Sequence, residues 1–262
     1  MSEAAPAPRQ LLGARIDPLR MQEVVSRCER AAGAHERLVV GVVNAAKIVA
    51  MQASAGLRSA VLAADLVIPD GMAVVWASRA LGEALPERVT GIDLFENLLE
   101  VAARRGLSVY FLGATDAVLD DLIAEVGRRH PGLRVAGRRN GYFGDAEAAA
   151  VAREISAARP AFLVVGISTP QKETFLAEWA PRMDVGVCHG VGGAFDVLAG
   201  KVSRAPAWMQ RIGLEWLYRV IQEPRRMWKR YLVTNTRFAS MLMREWLRRR
   251  PGARPTPGAR PR

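Results

Sequence analysis

From residue 19 to residue 200 the chain alternates short apolar runs with longer amphipathic stretches, the pattern of a mostly parallel sheet whose strands are joined by helices. Period and run length predict strands over 38–43, 66–68, 108–112, 133–136, 161–167 and 185–189. They predict helices over 19–32, 45–63, 71–82, 92–105, 116–129, 145–158 and 171–180. Several helix ends carry their own signals. Thr90 with Asp93 reads as a capping box, Thr115 before Asp116 as an N-cap with a favourable first-turn acid, and Gly106 closes a helix ending in Arg104 and Arg105. The expected class is α/β, a doubly wound parallel sheet with flanking helices.

Past residue 200 the texture changes. Trp208, Trp216 and Trp228 lie among arginines, Pro224 interrupts the helical pattern, and 226–250 resumes it with apolar Trp228, Leu232, Phe238, Met241, Leu242 and Trp246. Three parts are expected: a body over 1–200, a basic amphipathic helical appendage over 201–250, and a disordered Pro/Gly/Arg tail over 251–262.

The 262 residues are half apolar and about a quarter charged, which excludes a disordered, collagen-like or disulfide-scaffold protein. Cys28 and Cys188 stand far apart without C-x-x-C spacing, so neither a zinc site nor a disulfide framework is indicated, and a reducing compartment fits. The first ten residues lack the layout of a signal peptide, and apolar runs such as 162–167 are too short to span a bilayer, so a cytosolic or peripheral protein is expected. Charge then redraws the picture. The net +11 hides a 201–262 segment with 16 basic residues against three acids, or +13, attached to a body of −2. Such asymmetry points to phosphates of nucleic acid, nucleotide or lipid head groups; a merely solvated arginine-rich end is the plain alternative.

In an open parallel sheet, ligands sit beyond the carboxyl ends of the strands. The residues there are Asn44, Pro69-Asp70-Gly71, 113–115, Asn140-Gly141-Tyr142-Phe143, 168–173 and 190–196. GVGGAFD (190–196) lets backbone approach a diphosphate at a helix N-terminus, although its spacing is neither a dinucleotide fingerprint nor a Walker sequence. Asp70, after an apolar strand, is placed either as a general base or as a helix cap. Arg88 opens RVTGID (88–93) and suits a diphosphate or a carboxylated sugar, or is a surface arginine. Gln171 and Lys172 in STPQKE form a polar helix start that binds a ligand or faces water. His35, His130 and His189 form no metal-ligand spacing and no D-x-D occurs, so no metal site and no cofactor are expected, leaving arginines and backbone amides to meet a diphosphate.

Taken in order, several segments resemble the bacterial WecG/TagA/CpsF family of glycosyltransferases over roughly 35–231. They are Asn44-Ala45, IPDGMAVVWA (68–77), RVTGIDLFENLL (88–99), YFLGA (110–114), NGYF (140–143), VGISTPQKE (165–173), GVGGAFDVLAGKVSRAP (190–206) and GLEWLYRVIQEPRR (213–226). The resemblance implies a Rossmann-like body, and a basic appendage linked to membrane docking and to completing the active site. It implies transfer of a hexose or N-acetylhexosamine(uronate) from a UDP-sugar, with inversion, to a hydroxyl of a polyprenyl-diphosphate-linked sugar in cell-surface polysaccharide synthesis. By the same resemblance Asp70 is the base, Asn44 and Arg88 hold the substrate and its diphosphate, and Tyr142 lines the nucleotide site. Gly192 and Gly193 of the GVGG turn approach the ligand, Asp196 binds uridine, and Arg219, Arg225 and Arg226 neutralise the leaving UDP.

Two departures stand out. Val42 replaces the threonine some members carry two residues before the asparagine, and Pro170-Gln171-Lys172-Glu173 exchanges the usual lysine and glutamine, so either Gln171 or Lys172 makes the polar substrate contact. The expected location is peripheral, on the cytoplasmic face of the inner membrane, without nucleic acid and with a homo-oligomer left open. The competing reading is a nucleic-acid-binding protein that grips phosphates with the Trp/Arg-rich appendage. A nucleotide-binding oxidoreductase ranks behind both.

Overall fold

A computed structural model describes residues 6–249, apart from the side chains of Arg226, Met227 and Arg230. The expected 251–262 tail falls outside the described residues. The chain opens with a hairpin, β1 (Arg9–Leu11) and β2 (Ala14–Ile16), then α1 (Met21–Ala34), β3 (Leu38–Val43), α2 (Ala45–Ala53), α3 (Ala55–Leu62), β4 (Leu66–Pro69), α4 (Met72–Ala80) and α5 (Gly91–Arg105). It continues through β5 (Ser108–Gly113), α6 (Asp116–Arg129), β6 (Arg134–Arg139), α7 (Asp145–Ala158), β7 (Phe162–Gly166), α8 (Gln171–Trp179), β8 (Val187–Gly190) and α9 (Ala194–Leu198). The appendage is α10 (Ala207–Arg211), α11 (Glu215–Gln222) and α12 (Pro224–Arg249).

Six strands form one parallel sheet in the order β4-β3-β8-β7-β5-β6. β3, β4, β5, β7 and β8 read as near-continuous apolar runs because both their faces are covered, whereas the edge strand β6, RVAGRR, is polar and largely exposed. Alternation along β3 sorts the side chains: Val39 and Val43 join the core beneath α2, α3, α4, α7 and α8, whereas Val40 and Val42 join the core beneath α1, α5, α6 and α9. The expected α/β class, parallel sheet and flanking helices are all present.

The differences have local causes. The stretch 45–63, expected as one helix, is two, because Ser54 leaves helical geometry and its Oγ accepts from the Leu57 N–H at 3.2 Å. The hairpin at 9–16 lacks a long periodic signal, yet it buries Leu11, Ala14 and Ile16 completely. Pro224 interrupts the helical pattern as expected: α11 ends at Gln222, and Pro224 opens α12 at the position where its missing N–H costs nothing.

The appendage is tied to the body at both ends. Gly213, with φ +71°, turns the chain against α4 so closely that a Cβ there would lie 2.7 Å from Met72 Cβ. Further on, Phe238, Met241, Leu242 and Trp246 repeat at helical spacing and pack on the core that includes Ile48 and Met51 of α2. Arg249 Nη1 donates to Leu81 O at 3.0 Å. Among the described residues no helix is long and apolar enough to cross a membrane.

Candidate active site

The helices after β3 and β7 leave towards one face and α9, after β8, towards the other. A crevice therefore opens at the carboxyl ends of the central strands, where open α/β sheets bind ligands. Asp70 follows β4 and Asn44 follows β3, and their turns are joined directly, since the Asp70 N–H donates to Val43 O at 2.7 Å. Asn44 Oδ1 caps α2 by accepting from the Lys47 N–H at 2.9 Å. Asp70 is not a cap: Gly71 holds the N-cap position of α4 and receives no side-chain hydrogen bond. The Val89 N–H donates to Pro69 O at 2.9 Å, which brings Arg88 alongside the same strand end.

Around Asp70 the charges are dense. Burial, reinforced by the Glu215 carboxylate, pushes its carboxyl above the ordinary value, against the pull of Lys47, Arg88 and Arg219. Arg88 Nη1 donates to Glu215 Oε2 at 2.8 Å, so the first helix turn of α11 is bonded to the strand-end loop. Glu215 and Arg219, one helical turn apart, both act on Asp70.

Beneath the crevice lies a buried polar network. Lys47 Nζ donates to Val42 O and to Glu173 Oε1, both at 2.7 Å. Lys172 Nζ lies 3.2 Å from the same carboxylate oxygen and donates to Thr169 Oγ1 at 3.3 Å. Burial weakens Lys47's hold on its proton, aided by the neighbouring Lys172 charge, and lowers its pKa to about 8 although Glu173 opposes this. Burial also works against charge on Glu173, but Lys47 and Lys172 outweigh it and hold that carboxyl below its ordinary value. Lys172 therefore does not face water as one reading of the sequence had it; it is buried, while Gln171 before it is exposed. The stem of Lys172 runs under the glycine turn, where a Cβ on Gly190 would come within 2.9 Å of its Cδ and one on Gly192 within 3.7 Å of its Nζ.

The remaining residues divide. Gly192 and Gly193 form the turn into α9, and Asp196 sits in that helix's first turn. Tyr142, 76% exposed, lies beyond β6 in a loop held to β5 by the Gly141 N–H donating to Ala114 O at 3.0 Å. That loop turns back over the sheet, since a Cβ on Gly141 would lie 2.9 Å from Gly113 Cα and 3.0 Å from Ile167 Cγ1, beyond the ends of β5 and β7. Arg225 is exposed in the first turn of α12, and the Arg226 side chain falls outside the described residues.

Sequence reasoning passed over Lys47, Glu215 and Arg204. Lys47 lies one turn after the Asn44 cap, and Arg204 and Glu215 fall within the GKVSRAP and GLEW segments, but only the packing brings Lys47 and Glu215 to act on Asp70 and sets Arg204 against Glu215. His189 is also fully buried, its ring nitrogens 3.3 Å from Val40 O and 3.0 Å from Gly91 O, tying β8 to β3 and α5. Among the described residues no group of three or more His, Cys, Asp or Glu side chains could hold a metal ion.

The model described as "Glycosyl transferase WecG/TagA/CpsF family" matches residues 9–252. The chain belongs to the WecG/TagA/CpsF family. This member is similar to a protein of Bacillus spizizenii named N-acetylglucosaminyldiphosphoundecaprenol N-acetyl-beta-D-mannosaminyltransferase, 38% identical over 169 residues. That match covers 64% of this chain and 65% of the relative. A Bacillus subtilis protein of the same name is 36% identical over 168 residues, 64% of each chain. In both cases the chain matches less than two thirds of the relative's length.

Proposed function

We propose that this WecG/TagA/CpsF protein is an inverting glycosyltransferase. It moves a hexose or N-acetylhexosamine from a UDP-sugar to a hydroxyl of a polyprenyl-diphosphate-linked sugar during synthesis of a cell-surface polysaccharide. The names of its Bacillus relatives favour N-acetylmannosamine as the sugar transferred and N-acetylglucosaminyl-diphosphoundecaprenol as the acceptor. The observation that carries the reading is Asp70: a carboxylate at a strand end, its proton affinity raised by burial, among Lys47, Arg88 and Arg219.

In this reading Asp70 Oδ accepts the proton of the acceptor hydroxyl as that oxygen attacks the anomeric carbon from the face opposite the departing UDP. A raised pKa suits the task, because a base works best when its proton affinity approaches the operating pH. Arg88, Arg219 and Arg225 supply positive charge where the diphosphate gathers negative charge on leaving. The Gly192-Gly193 turn and Asp196 hold the nucleotide towards the centre of the sheet, and Tyr142 offers an exposed ring in the loop folded over β5.

The appendage brings the enzyme to its lipid-linked acceptor. Trp208, Ile212, Trp216, Ile221, Trp228 and Leu232 are all exposed among basic residues, a composition that favours an anionic interface. The proposed location is the cytoplasmic face of the inner membrane.

The test is release of UDP by the purified protein from a UDP-sugar in the presence of a lipid-diphosphate sugar. Asp70→Asn is expected to lose about a hundredfold or more of that activity while remaining folded. Equal turnover by the folded variant removes Asp70 as the base. Activity abolished by EDTA and restored by Mg²⁺ would assign the charge neutralisation to a metal rather than to arginine.

A further inference from the structure

Arg204 lies in the loop between α9 and α10 with most of its side chain buried. Its Nη1 is 2.6 Å from Asp93 Oδ1, in the first turn of α5. Its Nε is 3.6 Å from Glu215 Oε1, and the other oxygen of that carboxylate accepts from Arg88 Nη1 at 2.8 Å. One carboxylate thus stands between two guanidinium groups.

The arrangement leaves donors unused. Arg204 Nε and Nη2 are both buried, and neither has a hydrogen-bond partner among the described residues. A buried guanidinium N–H without an acceptor is costly, and two on one fork call for an oxyanion with more oxygens than the Glu215 carboxylate presents there. Guanidinium forks bind phosphate oxygens bidentately, and a diphosphate carries several such oxygens. Carboxylate and phosphate compete for the same donors. Glu215 is partly exposed and sits near the start of a short helix, so it can withdraw without unfolding the sheet.

We propose that Arg88 and Arg204 form a two-guanidinium clamp for a diphosphate, and that Glu215 occupies this clamp as a carboxylate stand-in which the diphosphate displaces. The inference rests on the glycosyltransferase reading for its natural ligand, and it adds Arg204 and Glu215 to the binding machinery. Loading of the clamp frees Glu215 from Arg88, so α11, which also carries Arg219, is re-seated when the donor binds.

Inorganic pyrophosphate is the probe, titrated calorimetrically into the full chain at low ionic strength. Glu215→Gln removes the competing charge, keeps the size, and is expected to bind pyrophosphate about tenfold tighter than the parent protein. Arg204→Lys keeps the charge facing Asp93 but removes the two unused donors, and is expected to bind about tenfold more weakly. Thermal unfolding of each variant verifies that it is folded. If Glu215 merely anchors α11, its replacement leaves pyrophosphate affinity unchanged or reduces it, and that result overturns the proposal. So does unchanged affinity in a folded Arg204→Lys protein. UDP release measured in parallel separates the two readings. Tighter pyrophosphate binding by Glu215→Gln without any UDP release supports the clamp and sinks the transferase reading; UDP release without that gain sinks the clamp alone.

Discussion

Lys47 Nζ lies 2.7 Å from Glu173 Oε1, and Lys172 competes for the same oxygen from 3.2 Å. Two buried ammonium groups therefore share one carboxylate, and the two ways of breaking the network are not equivalent. Glu173→Gln leaves two cations without a counter-charge and is expected to cost about 3 to 5 kcal/mol, the range for an orphaned buried ion. Lys47→Met leaves Glu173 paired with Lys172 and should cost about half of that or less. Urea unfolding of both variants checks the order; equal losses would mean that Lys172 is not part of the network.

Asp70 links stability to pH in a direction opposite to that of Glu173. Its folded-state pKa is raised by burial and by Glu215, so the folded protein holds that proton more tightly than the unfolded chain. Below the unfolded carboxylate pKa the group costs nothing, and as pH rises through the raised folded value its ionisation destabilises the fold. Asp70→Asn, locked in the neutral state, should therefore melt higher than the parent at neutral pH even as it loses most of the UDP release expected of the parent. Glu173, with its lowered pKa, contributes stability above the ordinary carboxylate range that is lost as pH falls through the folded value.

The same shift governs the rate. If Asp70 is the base, the acid limb of kcat/KM falls above the ordinary carboxylate range, where this half-buried carboxyl gains its charge. Removing the attraction of a nearby cation raises that pKa further, so Lys47→Met should move the acid limb to higher pH. A limb that stays in place under this substitution would separate Lys47 from Asp70.

Gly213 joins the appendage to the body. With φ +71° and Met72 Cβ only 2.7 Å from the position of an added methyl group, Gly213→Ala cannot keep this turn seated on α4. The expected result is a large loss of UDP release, since Glu215 and Arg219 follow directly, with a much smaller change in the melting of the body. Susceptibility to limited proteolysis near residue 213 supplies the structural readout.

Membrane docking needs a gentler test than truncation. Deleting everything after Gly200 would strip Phe238 and Trp246 from the core over α2 and confound binding with unfolding. Replacing exposed Trp208, Trp228 and Leu232 with serine leaves that packing in place, and spares Trp216, whose ring lies 5.8 Å from that of Tyr231. Sedimentation with anionic liposomes should then fall at least several-fold while thermal stability holds; undiminished sedimentation would remove these residues from the interface.

Hydrophobic periodicity made the sheet and most helices legible because the central strands are apolar runs and several helices carry their own caps, as at Asn44, Thr90 and Thr115. The strand-end positions of Asn44, Asp70 and the GVGG turn followed from the same pattern, since a parallel sheet puts all such ends on one edge. Periodicity could not decide which polar residues turn inward. Lys172 and Gln171 are neighbours in an ordinary helix start, yet only the packing of α8 beside Lys47 and the glycine turn buries one and exposes the other. The carboxylate of Glu215 reads as an isolated acid in a basic segment until α11 folds back against Arg88 and Arg204. Local sequence thus determined the elements and the edge that carries the candidate site, because caps and apolar spacing act over a few residues. The tertiary structure alone decided the charge environment of that edge, because Coulombic interaction depends on distances between residues more than a hundred positions apart.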